Sequence, residues 1–314
     1  MRPTLDRLRG ASADEAGAYF TEADPIDVVE AVRATSDDDL LDLVGRADLR
    51  PVVLAAIVSR LHEYAVPDRL AAVEGVVRFD LERRGTLLER HGLAFDRGAV
   101  THLPDLTERD PVDVVLRTSV LRFVRIVSGE RNAGLEYLSG KLDIEGDAEL
   151  ALAVGGLFRV PGTGEVAVDP RNLDPVDVAT ALKEASTDHL RRVMASGFRG
   201  VVLGEIFRRL PDFVDARRAR HLDLTIGFRL EGGASGEVDR YVVRLRDGAA
   251  TVSTDGEEGS QRDATVTCEA HDFLRLATGH LGAVTGVLRG QLKVRGDKAK
   301  ALQLSSAIDF PKAR

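Results

Sequence analysis

This chain of 314 residues contains one cysteine, two methionines and no tryptophan. Aromatic residues make up only 5% of it. A lone cysteine, Cys268, can neither close an intramolecular disulfide nor build a thiolate metal site, so we expect a reducing, cytoplasmic setting. The longest apolar stretch, near Val52–Val58, is far shorter than the roughly 18 residues of a membrane span. The first residues, MRPTLDRLRG, lack the apolar centre of a secretory signal. We therefore expect neither export nor integral membrane association.

Basic residues are also in deficit, with 43 lysines and arginines against 51 acidic residues and a net charge of −8. This balance argues against generic binding to nucleic acid or to an anionic membrane, and few aromatics are present for base stacking. Residues 1–150 hold 29 acidic and 19 basic side chains, net −10, which leaves 22 and 24, net +2, for the remainder. This asymmetry indicates either two differently charged solvated surfaces or a complementary contact between the halves.

The sequence does contain a long internal repeat. Asp24–Val28 (DPIDV) recurs as Asp174–Val178 (DPVDV), and the twelve residues from Arg50 recur from Arg199 with seven identities. The closing segment Gly129–Asp147 recurs at an offset of 150 with seven further identities, in the same order along the chain. Solenoid units are about 20–50 residues long, so a period of this length indicates a duplicated domain.

The repeat and the Pro/Gly-rich stretch that begins at Val160 predict the domain organisation. We expect an N-terminal extension over 1–22, a divergent copy over 23–160, a linker over 161–172, and a second copy over 173–314.

Each copy is predicted to begin with helices and to continue with a small sheet. Asp24 and Asp174 each precede a proline, as expected for an N-cap followed by proline at the first helical position. Apolar residues then alternate from Leu222 to Leu230, which is typical of a half-buried strand. Further short strands flank turns at Asp247-Gly248 and Asp255-Gly256, and Asp297 is placed to cap a last helix. The fold class predicted is α+β, with two tandem, mostly antiparallel five-stranded sheets, each covered by helices.

The order of these elements resembles the sterol carrier protein type-two family, the nonspecific lipid-transfer domain. In the second copy the resemblance depends on Ile206-Phe207, Asp247-Gly248, Asp272-Phe273-Leu274 and a closing pattern Leu288-x-Gly290-x-Leu292-x-Val294-x-Gly296-Asp297. The first copy retains Phe123, Gly129 and the closing pattern from Leu138 to Asp147.

The resemblance implies helices over a curved sheet, a hydrophobic cavity between the layers in each copy, and binding of sterols, acyl chains or other apolar molecules without covalent chemistry. Each ligand methylene buried in such a cavity would contribute about 0.8 kcal/mol. The second copy follows the family pattern more closely, so its apolar residues are the candidate lining, although each of them is also a plausible ordinary core residue. They are Phe207, Leu210, Phe213, Ile226, Phe228, Leu230, Phe273, Leu276, Leu281, Val284 and Leu288.

Patterns for catalysis, cofactors and metals are weak in this sequence. Gly162-Thr-Gly164 matches a loose dinucleotide fingerprint but lies in the linker, and no two of the seven histidines have a metal-ligand spacing. His271-Asp272 lies at a predicted helix start, where we expect capping or surface exposure. Asp37–Asp39 and Asp255–Glu258 are expected at a helix start and in a loop. We expect no catalytic residues, no metal and no cofactor.

Three functions remain open on this basis. The first is a non-enzymatic cytoplasmic protein that carries an apolar small molecule. The second is an interaction or dimerising scaffold with filled cores that assists a separate enzyme. The third is an enzyme that acts on an apolar substrate, which would require convergent polar groups near the cavity. The first hypothesis predicts that a charged residue in place of Phe228 abolishes ligand uptake by the second copy.

Overall fold

The computed structural model describes residues 5–160, 162, 164, 166–254 and 261–314, without the side chains of residues 6 and 7. The chain divides into two units, Met1–Asp169 and Pro170–Arg314. This division falls inside the segment 161–172 that the sequence predicts as a linker. Ala167 and Val168, in the middle of that segment, donate backbone hydrogen bonds to the carbonyl oxygens of Phe158 and Gly155, so these two residues pack onto the first unit.

The first unit contains eight α-helices and five strands among its described residues. The helices are α1 (Ala13–Glu22), α2 (Pro25–Ala34), α3 (Asp37–Gly45), α4 (Arg50–Arg60), α5 (Pro67–Leu70), α6 (Val120–Val127), α7 (Ala133–Leu138) and α8 (Ala148–Gly155). The strands are β1 (Glu74–Arg83), β2 (Thr86–Asp96), β3 (Ala99–Leu103), β4 (Val114–Ser119) and β5 (Leu142–Gly146).

The second unit repeats this order without a counterpart of α1. Its helices are α9 (Pro175–Glu184), α10 (Thr187–Ala195), α11 (Arg199–Arg209), α12 (Ala216–Ala219), α13 (Ala270–Ala277), α14 (Ala283–Leu288) and α15 (Lys298–Ala307). Its strands are β6 (Leu224–Glu231), β7 (Asp239–Arg246), β8 (Ala249–Thr254), β9 (Ala264–Glu269) and β10 (Leu292–Gly296).

Both sheets have the same topology, with strand order β3-β2-β1-β4-β5 in the first unit and β8-β7-β6-β9-β10 in the second. Three of the four pairings in each sheet are antiparallel, and only the central pair, β1 with β4 or β6 with β9, is parallel. The predicted α+β class with two mostly antiparallel five-stranded sheets is therefore confirmed.

Local sequence signals account for several element boundaries. The Asp24 and Asp174 side chains accept hydrogen bonds from the Ile26 and Val176 backbone amides, as expected of N-caps before proline. Asp247 and Gly248 both have positive φ and join β7 to β8 in a two-residue hairpin turn. The predicted turn at Asp255-Gly256 and the acidic run Asp255–Glu258 lie outside the described residues.

The repeated Gly-Asp of the closing segment connects the last strand of each unit to its last helix. Gly146 and Gly296 have φ of 101° and 88°, and a Cβ atom at either position would overlap the carbonyl oxygen of Asp113 or Asp263. Only glycine fits this close approach with positive φ. The following aspartate, Asp147 or Asp297, caps α8 or α15 through its side chain. This motif therefore fixes the position of the edge strand relative to the last helix.

The predicted N-terminal extension is part of the first unit's core. Helix α1 begins at a capping box formed by Ser12 and Glu15, and its Ala16 and Phe20 are buried in the main apolar cluster. This cluster also contains Val77 and Phe79 of β1, so helices α1 to α4 and the sheet share one core. Residues 1–4 lie outside the description.

Candidate functional site

The eleven predicted lining residues of the second unit occupy three settings. Val284 and Leu288 are on the surface, and Phe213 is half-buried in the short helical turn after α11. The other eight are buried in the core: Phe207, Leu210, Ile226, Phe228, Leu230, Phe273, Leu276 and Leu281.

Val284 and Leu288 therefore do not face the sheet with the other nine. They are 59% and 82% exposed, although their spacing along the sequence predicts one face with Leu281. The reason is that α14 begins only at Ala283 and packs through Gly286, where a Cβ would overlap the Leu292 side chain. The face of α14 opposite Gly286 consequently points to solvent.

The buried aromatic residues of the second unit stack against one another. The Phe207 ring lies between Tyr241, at a centroid distance of 3.8 Å, and Phe273, at 4.9 Å. Phe228 meets the Phe207 and Phe273 rings edge to face at 5.7 and 5.4 Å. Such aromatic contacts fill a core densely. At these positions the second unit holds a packed aromatic cluster.

The first unit has smaller residues at two of the four corresponding positions. The offset of the repeat places Val58 at the position of Phe207 and His91 at that of Tyr241. Phe79 and Phe123 correspond to Phe228 and Phe273, so phenylalanine is retained at the other two positions. The Phe79 and Phe123 rings keep an edge-to-face contact at 5.5 Å. The first unit therefore has half of the aromatic cluster.

A cavity of about 60 Å³ opens between helices of the first unit. Its lining is apolar except for an arginine, a tyrosine and a serine. The residues are Phe20 of α1, Pro25, Val28, Val29 and Val32 of α2, Ile57 and Arg60 of α4, Leu61 and Tyr64 of the turn that follows, and Val124, Val127 and Ser128 at α6. We call this space the α1–α4 groove.

Two of the predicted lining positions of the second unit have counterparts in the α1–α4 groove. Leu210 corresponds to Leu61 and Phe213 to Tyr64, both at an offset of 149. Sequence reasoning missed the groove because it assigned the site to the copy with the closer family pattern. Transferring Leu210 and Phe213 across the repeat would have indicated this part of the first unit.

Two of the three polar side chains of the groove, Arg60 and Ser128, already have partners. Arg60 donates from Nη1 to the backbone oxygens of Phe20 and Ala23 at 2.8 and 2.9 Å and forms an ion pair with Glu63 at 2.8 Å. Ser128 donates to the Arg125 carbonyl oxygen. The groove therefore presents mainly apolar surface. The corresponding Arg209 donates to the Leu173 carbonyl oxygen at 2.6 Å. In both units this arginine therefore hydrogen-bonds to the backbone of the segment that precedes α2 or α9.

Two histidines of the first unit meet across neighbouring strands, although their sequence spacing indicates no site. His91 Nδ1 of β2 lies 3.3 Å from His102 Nε2 of β3, and His91 Nε2 is buried without a hydrogen-bond partner among the described residues. Burial, with His102 nearby, lowers the pKa of His91 to about 4. Within the described ranges, no three metal-ligating side chains come together.

The second unit has a small buried polar group at the start of α13. The Asp272 carboxylate accepts a hydrogen bond from Gln291 Nε2 at 2.7 Å, and His271 and Asp272 are both 6% exposed. The expectation that these two residues cap the helix or lie on the surface is wrong, because Glu269 occupies the N-cap position. Cys268 is buried in β9 as expected, and burial raises the pKa of its thiol to about 12, which argues against a reactive thiolate.

No helix in the described part of the chain is long and apolar enough to cross a membrane.

A family model described as "SCP-2 sterol transfer family" matches residues 54–159 and 203–309. Hydroxysteroid dehydrogenase-like protein 2 of Xenopus tropicalis is 26% identical over 106 residues, which cover 34% of this chain and 24% of that protein. Sterol carrier protein 2 of Arabidopsis thaliana is 33% identical over 72 residues, which cover 23% of this chain and 56% of that protein.

Among solved structures, sterol carrier protein 2 like 2 of Aedes aegypti is matched over 35% of this chain and 95% of that one, at 23% identity and a TM-score of 0.29. The matches to the frog and plant proteins span about a quarter and about half of those proteins.

Proposed function

The chain belongs to the SCP-2 sterol transfer family, and from this premise we propose that it is a non-enzymatic, cytoplasmic carrier of an apolar small molecule. The ligand would be an acyl chain, a sterol-like molecule or another lipid. The α1–α4 groove of the first unit is its binding site, rather than the second-unit residues that the sequence favours. The observation that carries this proposal is an apolar groove in the unit that has only two of the four aromatic residues of the cluster.

The chemistry of the groove supports an apolar ligand. Arg60 and Ser128 are occupied by protein partners, so the remaining contacts come from aliphatic and aromatic side chains. Each methylene buried against them would contribute about 0.8 kcal/mol. Binding would therefore increase with chain length until the groove is full.

The groove must widen before it accepts a whole ligand. Its 60 Å³ is several-fold below the roughly 300–1,000 Å³ of typical small-molecule sites. Phe20, on the helix that has no counterpart in the second unit, is 3% exposed and lines the groove. We propose that α1 moves as a lid and that the ligand takes the place of the Phe20 ring. The Arg60 bonds to Phe20 and Ala23 would hold the lid in its closed position.

An isoleucine repeated in both units offers a matched test. Ile57 lines the groove on α4, and Ile206 is its counterpart on α11. Both are half-buried. Ile57→Glu should weaken uptake of cis-parinaric acid and of dehydroergosterol by the delipidated full chain at least tenfold, because a carboxylate would have to be desolvated in the groove. Ile206→Glu should leave uptake within about twofold of the parent.

Two outcomes would contradict the proposal. One is saturable uptake that Ile206→Glu abolishes and Ile57→Glu does not, which would return the site to the second unit. The other is the absence of saturable uptake of either probe by a folded parent protein.

A scaffold role is the second candidate, and the packed aromatic cluster of the second unit favours it. The Phe207 ring is stacked on both faces, so this unit would assist a separate enzyme through its surface rather than hold a ligand. Co-purification of a stoichiometric partner protein that requires the second unit, together with no probe uptake, would favour this role over the carrier.

A further inference from the structure

We propose that Tyr64 selects the ligand of the α1–α4 groove by donating a hydrogen bond from its phenolic hydroxyl to an oxygen atom at the polar end of the molecule. The ligand is then an amphiphile, a hydrocarbon that carries a terminal carboxylate or hydroxyl oxygen, rather than an oxygen-free hydrocarbon. This inference rests on the proposed function, because it assigns a specificity-determining residue and a ligand class to the same groove.

The Tyr64 hydroxyl is the polar group of the groove that other residues leave available. Arg60 is engaged by backbone oxygens and by Glu63, and Ser128 donates to a backbone oxygen. Tyr64 also lines the groove, but its hydroxyl forms no hydrogen bond with any residue that the structure describes. A donor that is half-buried among apolar side chains gains more from a partner than a donor in open water does.

The second unit has an aromatic ring at this position but lacks the hydroxyl group. Phe213 is the counterpart of Tyr64, and a leucine is retained three positions earlier, at Leu61 and Leu210. Both rings are half-buried at the end of the short helical turn after α4 or α11. A phenyl ring is therefore enough to form this turn, and the hydroxyl group is present in the unit that has the groove.

The surroundings of Tyr64 keep its hydroxyl protonated and able to donate. Burial raises the pKa of Tyr64 above its ordinary value of about 10. The guanidinium groups of Arg60 and Arg33 and the carboxylates of Glu63 and Asp24 also act on it, so the nearby charges are equal in number and opposite in sign. Selection consequently depends on the hydrogen bond rather than on net charge, and it admits both a carboxylate and an alcohol oxygen.

One available donor in an otherwise apolar lining is enough to discriminate between ligands. In small-molecule sites a few polar groups fix the orientation of a ligand that is held mainly by apolar contacts. A ligand with an oxygen atom at one end satisfies the Tyr64 hydroxyl. An oxygen-free ligand displaces water from the hydroxyl and leaves it without a partner, which lowers the affinity.

The test compares fluorescent probes that share one hydrocarbon body. Diphenylhexatriene, its propionic acid derivative and the alcohol made by reducing that acid are each titrated into the delipidated full chain at neutral pH. Tyr64→Phe introduces the residue of the second unit. It should weaken uptake of the acid about tenfold, because one hydrogen bond to a charged acceptor is lost. Uptake of the alcohol should weaken less, about threefold, and uptake of diphenylhexatriene should stay unchanged or become tighter.

Phe213→Tyr is the matched control, since it places the same hydroxyl in the second unit. It should change uptake of each probe by no more than about twofold. Equal weakening of all three probes by Tyr64→Phe would overturn the proposal, because the residue would then act through packing. Unchanged uptake of the acid by Tyr64→Phe would overturn it as well.

The same titrations separate this proposal from the proposed function. If the parent takes up the probes and Ile57→Glu prevents this, but Tyr64→Phe does not discriminate between them, the groove remains the binding site and the role of Tyr64 is wrong. If the parent takes up none of the probes, or if Ile57→Glu leaves their uptake intact, both proposals are wrong.

Discussion

The two units share one sheet topology but fill the space beneath it differently. In the second unit, Phe207 lies between Tyr241 and Phe273. In the first unit, Val58 and His91 replace Phe207 and Tyr241, and an apolar groove opens beside α4. Duplication therefore preserved the sheet and the order of the helices around it, which we call the frame, while the residues of the core diverged.

The preserved residues are those that the frame requires. Gly296-Asp297 repeats Gly146-Asp147, and both pairs join an edge strand to a capped helix. Arg60 and its counterpart Arg209 fasten the segment that precedes α2 or α9 through backbone oxygens. The surfaces diverged as well, because Asp143 and Glu145 of the first unit correspond to Lys293 and Arg295 of the second. Closeness to a family pattern thus reports the frame and does not measure how densely each core is packed.

The largest expected effect concerns the filled core. Phe207→Ala should destabilise the second unit by about 3–5 kcal/mol, because it removes a ring stacked on both faces. Val58→Ala at the corresponding position should destabilise the first unit by about 2 kcal/mol. Amide hydrogen exchange in β6 and β1 would measure each unit separately. Equal effects at the two positions would contradict the difference in packing.

The next effect is a pH dependence that His91 adds to the stability of the first unit. Burial lowers the pKa of His91 to about 4, whereas an unfolded histidine has a pKa of about 6.5. The unfolded state therefore binds the proton first as the pH falls, and stability is lost between about pH 6.5 and pH 4, by about 3 kcal/mol. Lowering of the pKa of His102 by burial acts in the same direction.

His91→Tyr introduces the residue of the second unit and supplies the control for this pH dependence. Its unfolding free energy, measured by hydrogen exchange in β1 and β2 across the same pH range, should lose most of the slope. A slope that persists in this variant would assign the effect to other groups.

The smallest effect should be the same in both units. Asp147→Ala and Asp297→Ala each remove an N-cap that accepts two backbone hydrogen bonds, and each should cost about 1 kcal/mol. Thermal unfolding of the two single variants would reveal whether the frame is equally stable in the two copies. A loss at one position only would show that the shared frame has diverged too.

Much of the frame could be predicted from the sequence, because local signals determine it. The caps at Asp174 and Asp297 and the hairpin turn at Asp247-Gly248 depend on residues adjacent in the chain, and all three are confirmed. The repeat alone predicted two domains of one fold.

The candidate site could not be predicted in the same way. The groove involves Phe20 of α1, a helix absent from the repeat, so comparing the copies could indicate only the part of the groove formed by Leu61 and Tyr64. His91 and His102 meet only through the register of β2 with β3. The exposure of Val284 depends on a helix that starts after Leu281 and packs through Gly286. Each of these features depends on tertiary packing.

Methyl NMR of the delipidated full chain, with labelled isoleucine, leucine and valine, tests the location of the site most directly. On titration with cis-parinaric acid, we predict saturable shifts at Val28, Val32 and Ile57 of the groove, and at most small shifts at Ile226 and Val243 in the core of the second unit. Saturable shifts confined to Ile226 and Val243, with the groove methyls unchanged, would contradict the assignment of the ligand to the first unit.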